Sequence, residues 1–126
     1  MLELKKVATD KAPAAIGPYS QAMICGNMEF TSGQIPINPA SGNVEVSTIE
    51  AQAEQVMKNL GEVLSAAGSG FDKAVKTTCF LADMGDFAAF NGVYAKYFTT
   101  NPARSCVAAK QLPKNVLCEV EVIAEL

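Results

Sequence analysis

Between Ser47 and Gly68 the chain carries one amphipathic helix with both ends marked, and short β-runs flank it on either side. Ile49, Ala53, Val56, Leu60, Val63, Leu64 and Ala67 recur at helical spacing. Ser47-Thr48-Ile49-Glu50 reads as a capping box ahead of them, and Gly68 closes the run. A helix with a single apolar stripe must bury it against another layer. The rest of the chain supplies mainly strands. Lys5–Thr9 reads as a short strand. Ala22–Cys25 and Met28–Ser32 are two more, with Gly26-Asn27 as a tight hairpin turn. Ala74–Leu81 is β-rich, with Val75, Thr77, Cys79 and Leu81 on one face. Arg104–Lys110 and Val116–Glu125 read as a final hairpin. A second helix starts at a capping Asp86, shows Phe87, Phe90, Tyr94, Tyr97 and Phe98 on one face, and stops at Asn101-Pro102. Gln34–Asn43, with Pro36, Pro39 and Gly42, is expected to be irregular.

The order is thus β-β-β-α-β-α-β-β. It predicts an α+β fold, a mixed sheet with both helices on one face. The length of 126 residues is that of one domain, taken as residues 1–126. The uncovered sheet face carries several apolar residues, which points to association between chains.

Two scarcities narrow the chemistry. Histidine is absent. Ser-His-Asp and Cys-His nucleophiles, a histidine general base, HExxH sites and zinc fingers are therefore excluded, and a second copy of the chain does not supply them. Arginine occurs once, at Arg104, among ten basic residues. Its planar fork grips a carboxylate or phosphate through two parallel hydrogen bonds, which lysine does not match. The bland alternative is a structural ion pair. The net charge of −3, without basic clusters, argues against nucleic-acid partners. No apolar run is long enough to cross a membrane. The start, Met1-Leu2-Glu3-Leu4-Lys5-Lys6, has no secretory h-region. Cys25, Cys79, Cys106 and Cys118 form no CxxC pair. They read as reduced thiols of a cytoplasmic protein.

The final hairpin carries the most chemical information. Arg104, Cys106 and Ala108 share a face of its first strand; Leu117, Glu119, Glu121 and Ile123 share one of its second. A register bringing Cys106 near Glu119 would gather Arg104, Cys106, Glu119 and Glu121 on one surface. That surface is either a cross-strand ion pair or a site where Arg104 holds an anion and a glutamate handles water. Spacing does not choose between Glu119 and Glu121. Gly17-Pro18-Tyr19-Ser20-Gln21 reads first as a turn, and Ser32-Gly33-Gln34 as a strand end with a hydroxyl and free N–H groups. Gly68-Ser69-Gly70 lacks the lysine of a P-loop. The aromatics of the second helix read as core. Cys106 has no base beside it in sequence.

Ile16-Gly17-Pro18-Tyr19-Ser20-Gln21-Ala22, Thr31-Ser32-Gly33-Gln34-Ile35-Pro36, Pro102-Ala103-Arg104-Ser105-Cys106-Val107 and Leu112-Pro113-Lys114 with Glu119-Val120-Glu121 resemble the Rid family. These are the reactive intermediate deaminases, also called YjgF-like or L-PSP proteins, and the likeness is to their RidA branch. The resemblance covers nearly the whole chain, with blocks in order. It implies a chorismate-mutase-like fold, a barrel-like homotrimer with sites between subunits, and no metal or organic cofactor. The implied reaction is hydrolysis of 2-iminobutanoate and 2-iminopropanoate, formed from enamines released by PLP-dependent enzymes, to 2-oxo acids and ammonia. By position, Arg104 matches the arginine that binds the substrate carboxylate and Glu119 the glutamate that orients water. Tyr19, Ser32, Gly33, Asn91 and Cys106 match residues of the cleft. Two other activities stand beside this one: a non-catalytic sensor of 2-oxo acids, and an endoribonuclease or translation inhibitor. Three departures accompany the likeness. Cys118 replaces an aliphatic residue before the glutamate, Val120 follows it where Ile or Met is common, and the link from Phe98 to Pro102, which shapes the cleft rim, is shorter than in many relatives.

Overall fold

The computed structural model describes residues 2–126. Eight strands and two helices follow in chain order: β1 (Leu4–Val7), β2 (Ala22–Cys25), β3 (Met28–Thr31), β4 (Ile37–Asn38), β5 (Asn43–Val44), α1 (Ile49–Ala66), β6 (Ala74–Leu81), α2 (Phe87–Tyr97), β7 (Ala103–Ala108) and β8 (Cys118–Glu125). Six strands form one mixed sheet in the order β1-β2-β3-β8-β6-β7. The helices cover one face, where Val56, Met57, Leu60, Leu64, Cys79, Leu81, Phe90, Phe98, Cys118, Val120 and Val122 make the core. The other face is open, with Phe30 and Val107 among its exposed apolar residues.

The helix read from the sequence is α1, but its cap differs. Thr48, not Ser47, is the N-cap, and its hydroxyl accepts from the Ala51 N–H. Glu50 then falls one position short of the reciprocal contact a capping box requires. Gly68, at φ +83°, closes the helix, and the Ser69 N–H donates back to the Leu64 carbonyl. For α2 the cap also moves. Asp83 caps a short 3-10 turn over Met84–Asp86 by accepting from the Gly85 N–H, while the Asp86 side chain caps nothing. Val75 leaves the face shared by Thr77, Cys79 and Leu81, because a bulge between Ala74 and Lys76 shifts the register. Gln34–Asn43 is not wholly irregular: β4 and β5 pair as a small ribbon.

The largest correction concerns the last two strands, which are not a hairpin. β7 follows α2 as a parallel crossover and lies outside β6. β8 fills the slot between β6 and β3, antiparallel to both. β6 thus takes β7 on one side and β8 on the other, which keeps the last two strands apart.

Buried amides on the scaffold hold the loops. Gln21 accepts from the Thr9 N–H at 2.7 Å and donates to the Pro13 carbonyl at 2.8 Å. Gln52 accepts from the Leu117 N–H at 2.8 Å. Asn59 donates to the carbonyls of Ile35 and Ile37 at 3.1 and 2.9 Å.

Glu29 on β3 is fully buried, and neither carboxylate oxygen has a hydrogen-bond partner. Burial lifts its carboxyl from the ordinary 4.5 to about 7. The folded state therefore holds a proton that the unfolded chain releases above pH 4.5. Stability is full below that value, falls as pH rises toward 7, and levels off beyond it. The loss is on the order of 3 kcal/mol. Glu29→Met is expected to raise the thermal midpoint at pH 8 and leave it nearly unchanged at pH 4.5. Melting curves of both proteins across that range check it.

Candidate functional site

Facing positions place the chemistry. On β6, Thr77 pairs with Arg104 on one side and Val122 on the other, and Cys79 pairs with Cys106 and Val120. Arg104 and Cys106 therefore share the helix-covered face. Phe80 pairs with Glu119 and Thr78 with Glu121. Both glutamates project from the open face. The single surface expected for Arg104, Cys106, Glu119 and Glu121 is thus not formed within one chain. The chain carries two separate clefts.

The first cleft lies at the edge strand β7. The Arg104 Nη1 donates to Asn91 Oδ1 at 2.6 Å. Its guanidinium sits 4.7 Å from the Tyr94 ring centroid and 5.4 Å from that of Phe87. Tyr94 is fixed in turn, by a 2.7 Å hydrogen bond between its hydroxyl and Thr77 and by stacking on Phe98. A cleft of about 300 Å³ lined by Asn91, Tyr94, Pro102 and Arg104 opens there. Among the described residues the one ion pair joins Lys96 to Glu54, so Arg104 has no carboxylate partner. The structural ion pair left open by the sequence is not made.

The second cleft, of about 590 Å³, lies at the open face. Tyr19, Ser32, Gly33 and Glu119 line it together, as do Gln34 and Lys114. Burial, and then the neighbouring Glu121 charge, push the Glu119 carboxyl up. The hydroxyl of Ser32 donates to the Ser20 carbonyl at 2.6 Å, so it supports the wall and keeps only its acceptor sites for a ligand. Tyr19 is half exposed beside Gly17, which takes φ +122°. Gly33 is needed for close approach: a Cβ there would stand 2.1 Å from Glu119 Oε2 and 3.0 Å from its Cγ.

The sequence reading missed Phe87 and Tyr94 as the rings that hold Arg104. Their helical spacing signals core, and the contact depends on a tertiary approach that spacing does not encode. It also missed Gln34 and Lys114, whose blocks were quoted but whose side chains had no evident task. Among the described residues no group of three or more His, Cys, Asp or Glu side chains is placed to hold a metal ion. No helix of the described residues is long and apolar enough to cross a membrane.

The fold and its two clefts define an α+β protein of the L-PSP type. The chain belongs to the family described as endoribonuclease L-PSP, which matches residues 9–126. The 2-iminobutanoate/2-iminopropanoate deaminase of Escherichia coli (strain K12) is 49% identical over 124 residues, covering 95% of this chain and 96% of that protein. AldR of Lactococcus lactis, which carries a regulator's name, is 52% identical over 124 residues, covering 98% of each. A solved L-PSP structure from Entamoeba histolytica superposes with a TM-score of 0.95 at 54% identity, covering 98% of this chain and 100% of the other. The Rid resemblance read from the residues is therefore a family membership.

Proposed function

We propose that the protein hydrolyses small 2-imino acids to 2-oxo acids and ammonia, in sites completed between subunits of a homotrimer. The observation that carries this reading is Arg104. Its guanidinium is held by a neutral amide and two rings, with no acid to neutralise it. A preorganised, unpaired fork of this kind fits the carboxylate of a small ligand. Glu119 of the partner subunit supplies the water-directing group. One chain has both residues on opposite faces, so a second copy must bring its open face to the β7 edge. That docking also covers Phe30 and Val107. A chorismate-mutase-like barrel of three chains, the assembly that the family resemblance implies, would give this arrangement.

The reaction asks little of the protein beyond placement. A protonated imine is already electrophilic at its C=N carbon. Water adds there, giving its proton to Glu119, and the resulting carbinolamine expels ammonia and leaves the 2-oxo acid. A carboxylate with its pKa held up by burial is a stronger base than an exposed one. Asn91 orients the Arg104 fork, and Tyr19, Ser32, Gly33 and Cys106 shape the cleft around the substrate.

A coupled assay tests the reading. An amino-acid oxidase generates the imine, semicarbazide traps what remains, and the protein is expected to suppress the trapped product at catalytic concentrations. Binding of a 2-oxo acid without turnover would make the protein a sensor instead. Gly33→Ala supplies a sharper check. Its methyl displaces Glu119, so turnover is expected to fall on the order of 10²-fold, as for other misplacements near 1 Å. Circular dichroism and melting should stay near wild type.

A further inference from the structure

Three of the four thiols lie on the helix-covered face, and two are direct neighbours. Cys79 on β6 and Cys106 on β7 are partners in the parallel ladder. Neighbouring strands lie about 4.8 Å apart. Disulfides span Cα separations of about 4.4–6.8 Å, so the pair is within bonding reach without strand separation. The Cys79 Sγ donates to the Thr77 hydroxyl at 4.0 Å, on the same face as Cys106. They differ in access: Cys79 is fully buried, whereas Cys106 is half-buried on the edge strand. Burial pushes the Cys106 thiol up, and Arg104, two residues earlier on the same face, opposes that effect. A reachable thiol directly before a buried one is the arrangement of an attacking and a resolving cysteine. The other two thiols are badly placed for the role. Cys118 is on β8, beyond β6 from Cys106, and Cys25 is on β2 near the far side of the sheet.

We infer that Cys79 and Cys106 close a reversible disulfide when the protein meets a peroxide, and that closure switches off the Arg104 cleft. In the first step the Cys106 thiolate attacks one peroxide oxygen. The O–O bond breaks, Cys106 becomes a sulfenic acid, and the departing hydroxide takes up the thiol proton as water. In the second step the Cys79 sulfur attacks the Cys106 sulfur. The S–S bond forms, the S–O bond breaks, and a second water leaves with the Cys79 proton. Two thiols are oxidised and one peroxide is reduced to two waters; a dithiol reductant reverses the change. The new bond draws Cys106 toward β6, and within its own chain β7 has no strand on its outer side to resist. Arg104 moves with it, away from the Asn91 and Tyr94 contacts that orient its fork. The disulfide stands apart from imine hydrolysis; only its effect on turnover rests on that reading.

Mass spectrometry of the peroxide-treated full chain, alkylated without reduction, tests the inference. The expected result is the loss of two hydrogens, two of the four thiols closed to alkylation, and a linked Cys79–Cys106 peptide that dithiothreitol opens. Imine turnover should fall severalfold and return on reduction. Cys79→Val should keep its basal turnover and form no such link, and Cys118→Ala should behave as wild type. Four thiols still open to alkylation, oxygen added to Cys106 alone, or a link through Cys25 or Cys118 would each overturn the inference. A linked peptide with unchanged turnover would overturn the control of the cleft while leaving the disulfide. A protein without imine turnover would leave the peptide result to decide the disulfide by itself.

Discussion

Co-expression of an Arg104→Lys chain with a Glu119→Gln chain is expected to restore activity that neither chain has alone. Each site of the proposed trimer takes Arg104 from one subunit and Glu119 from the next. In a cyclic trimer that holds both chain types, one site of the three joins the two native residues, since the subunits occupy equivalent positions. Turnover of the protein purified through both tags should therefore reach roughly a third of wild type per site. The logic follows from the β6 register, which sends Thr77 and its partner Arg104 to one face and Phe80 and its partner Glu119 to the other. If both residues acted within one chain, every subunit of the mixture would lack one of them and turnover would stay near zero. Separately tagged chains, purified in tandem and assayed for imine hydrolysis, decide between the two outcomes.

Arg104→Lys alone is expected to lower kcat/KM on the order of 10²-fold or more, because a fork with two parallel hydrogen bonds is replaced by a point charge. Lysine keeps the charge and still passes over Phe87 and Tyr94, so the fold should persist. What it gives up is the planar registry with the substrate carboxylate and the directional bond to Asn91 Oδ1. Steady-state kinetics on imines of increasing side-chain size would report this as a loss common to all of them, since the carboxylate is shared. A variant with near-native kcat/KM would remove Arg104 from substrate binding.

Local signals and tertiary signals were not equally visible in the sequence. The helix at Ile49–Ala66 announced itself through spacing and a closing glycine, and the hairpin around Gly26-Asn27 through its turn residues. Strand pairing was another matter. Alternation in Arg104–Ala108 and Cys118–Glu125 shows which residues share a face of each strand, but not which strand lies beside which. The insertion of β8 between β3 and β6 reversed the expected relation of Arg104 to Glu119. Tyr19, Ser32, Gly33 and Glu119, drawn from separate motif blocks, line one cleft. Arg104 and Asn91 proved to be neighbours as well, in the other cleft. That these are two clefts rather than one is a property of the sheet's two sides, which no local pattern records.

Gln21, Gln52 and Asn59 have a consequence for how the clefts age and adapt. All three are amides, and each ties a connecting segment to the sheet or to α1. An amide carries no charge at any physiological acidity, and its hydrogen bonds are not weakened by the ion screening that loosens exposed salt bridges. The geometry of the walls is thereby uncoupled from the ionic state of the surrounding medium. Acidification would discharge Glu119, whose carboxyl burial pushes up, long before it loosened the loop that Gln21 pins.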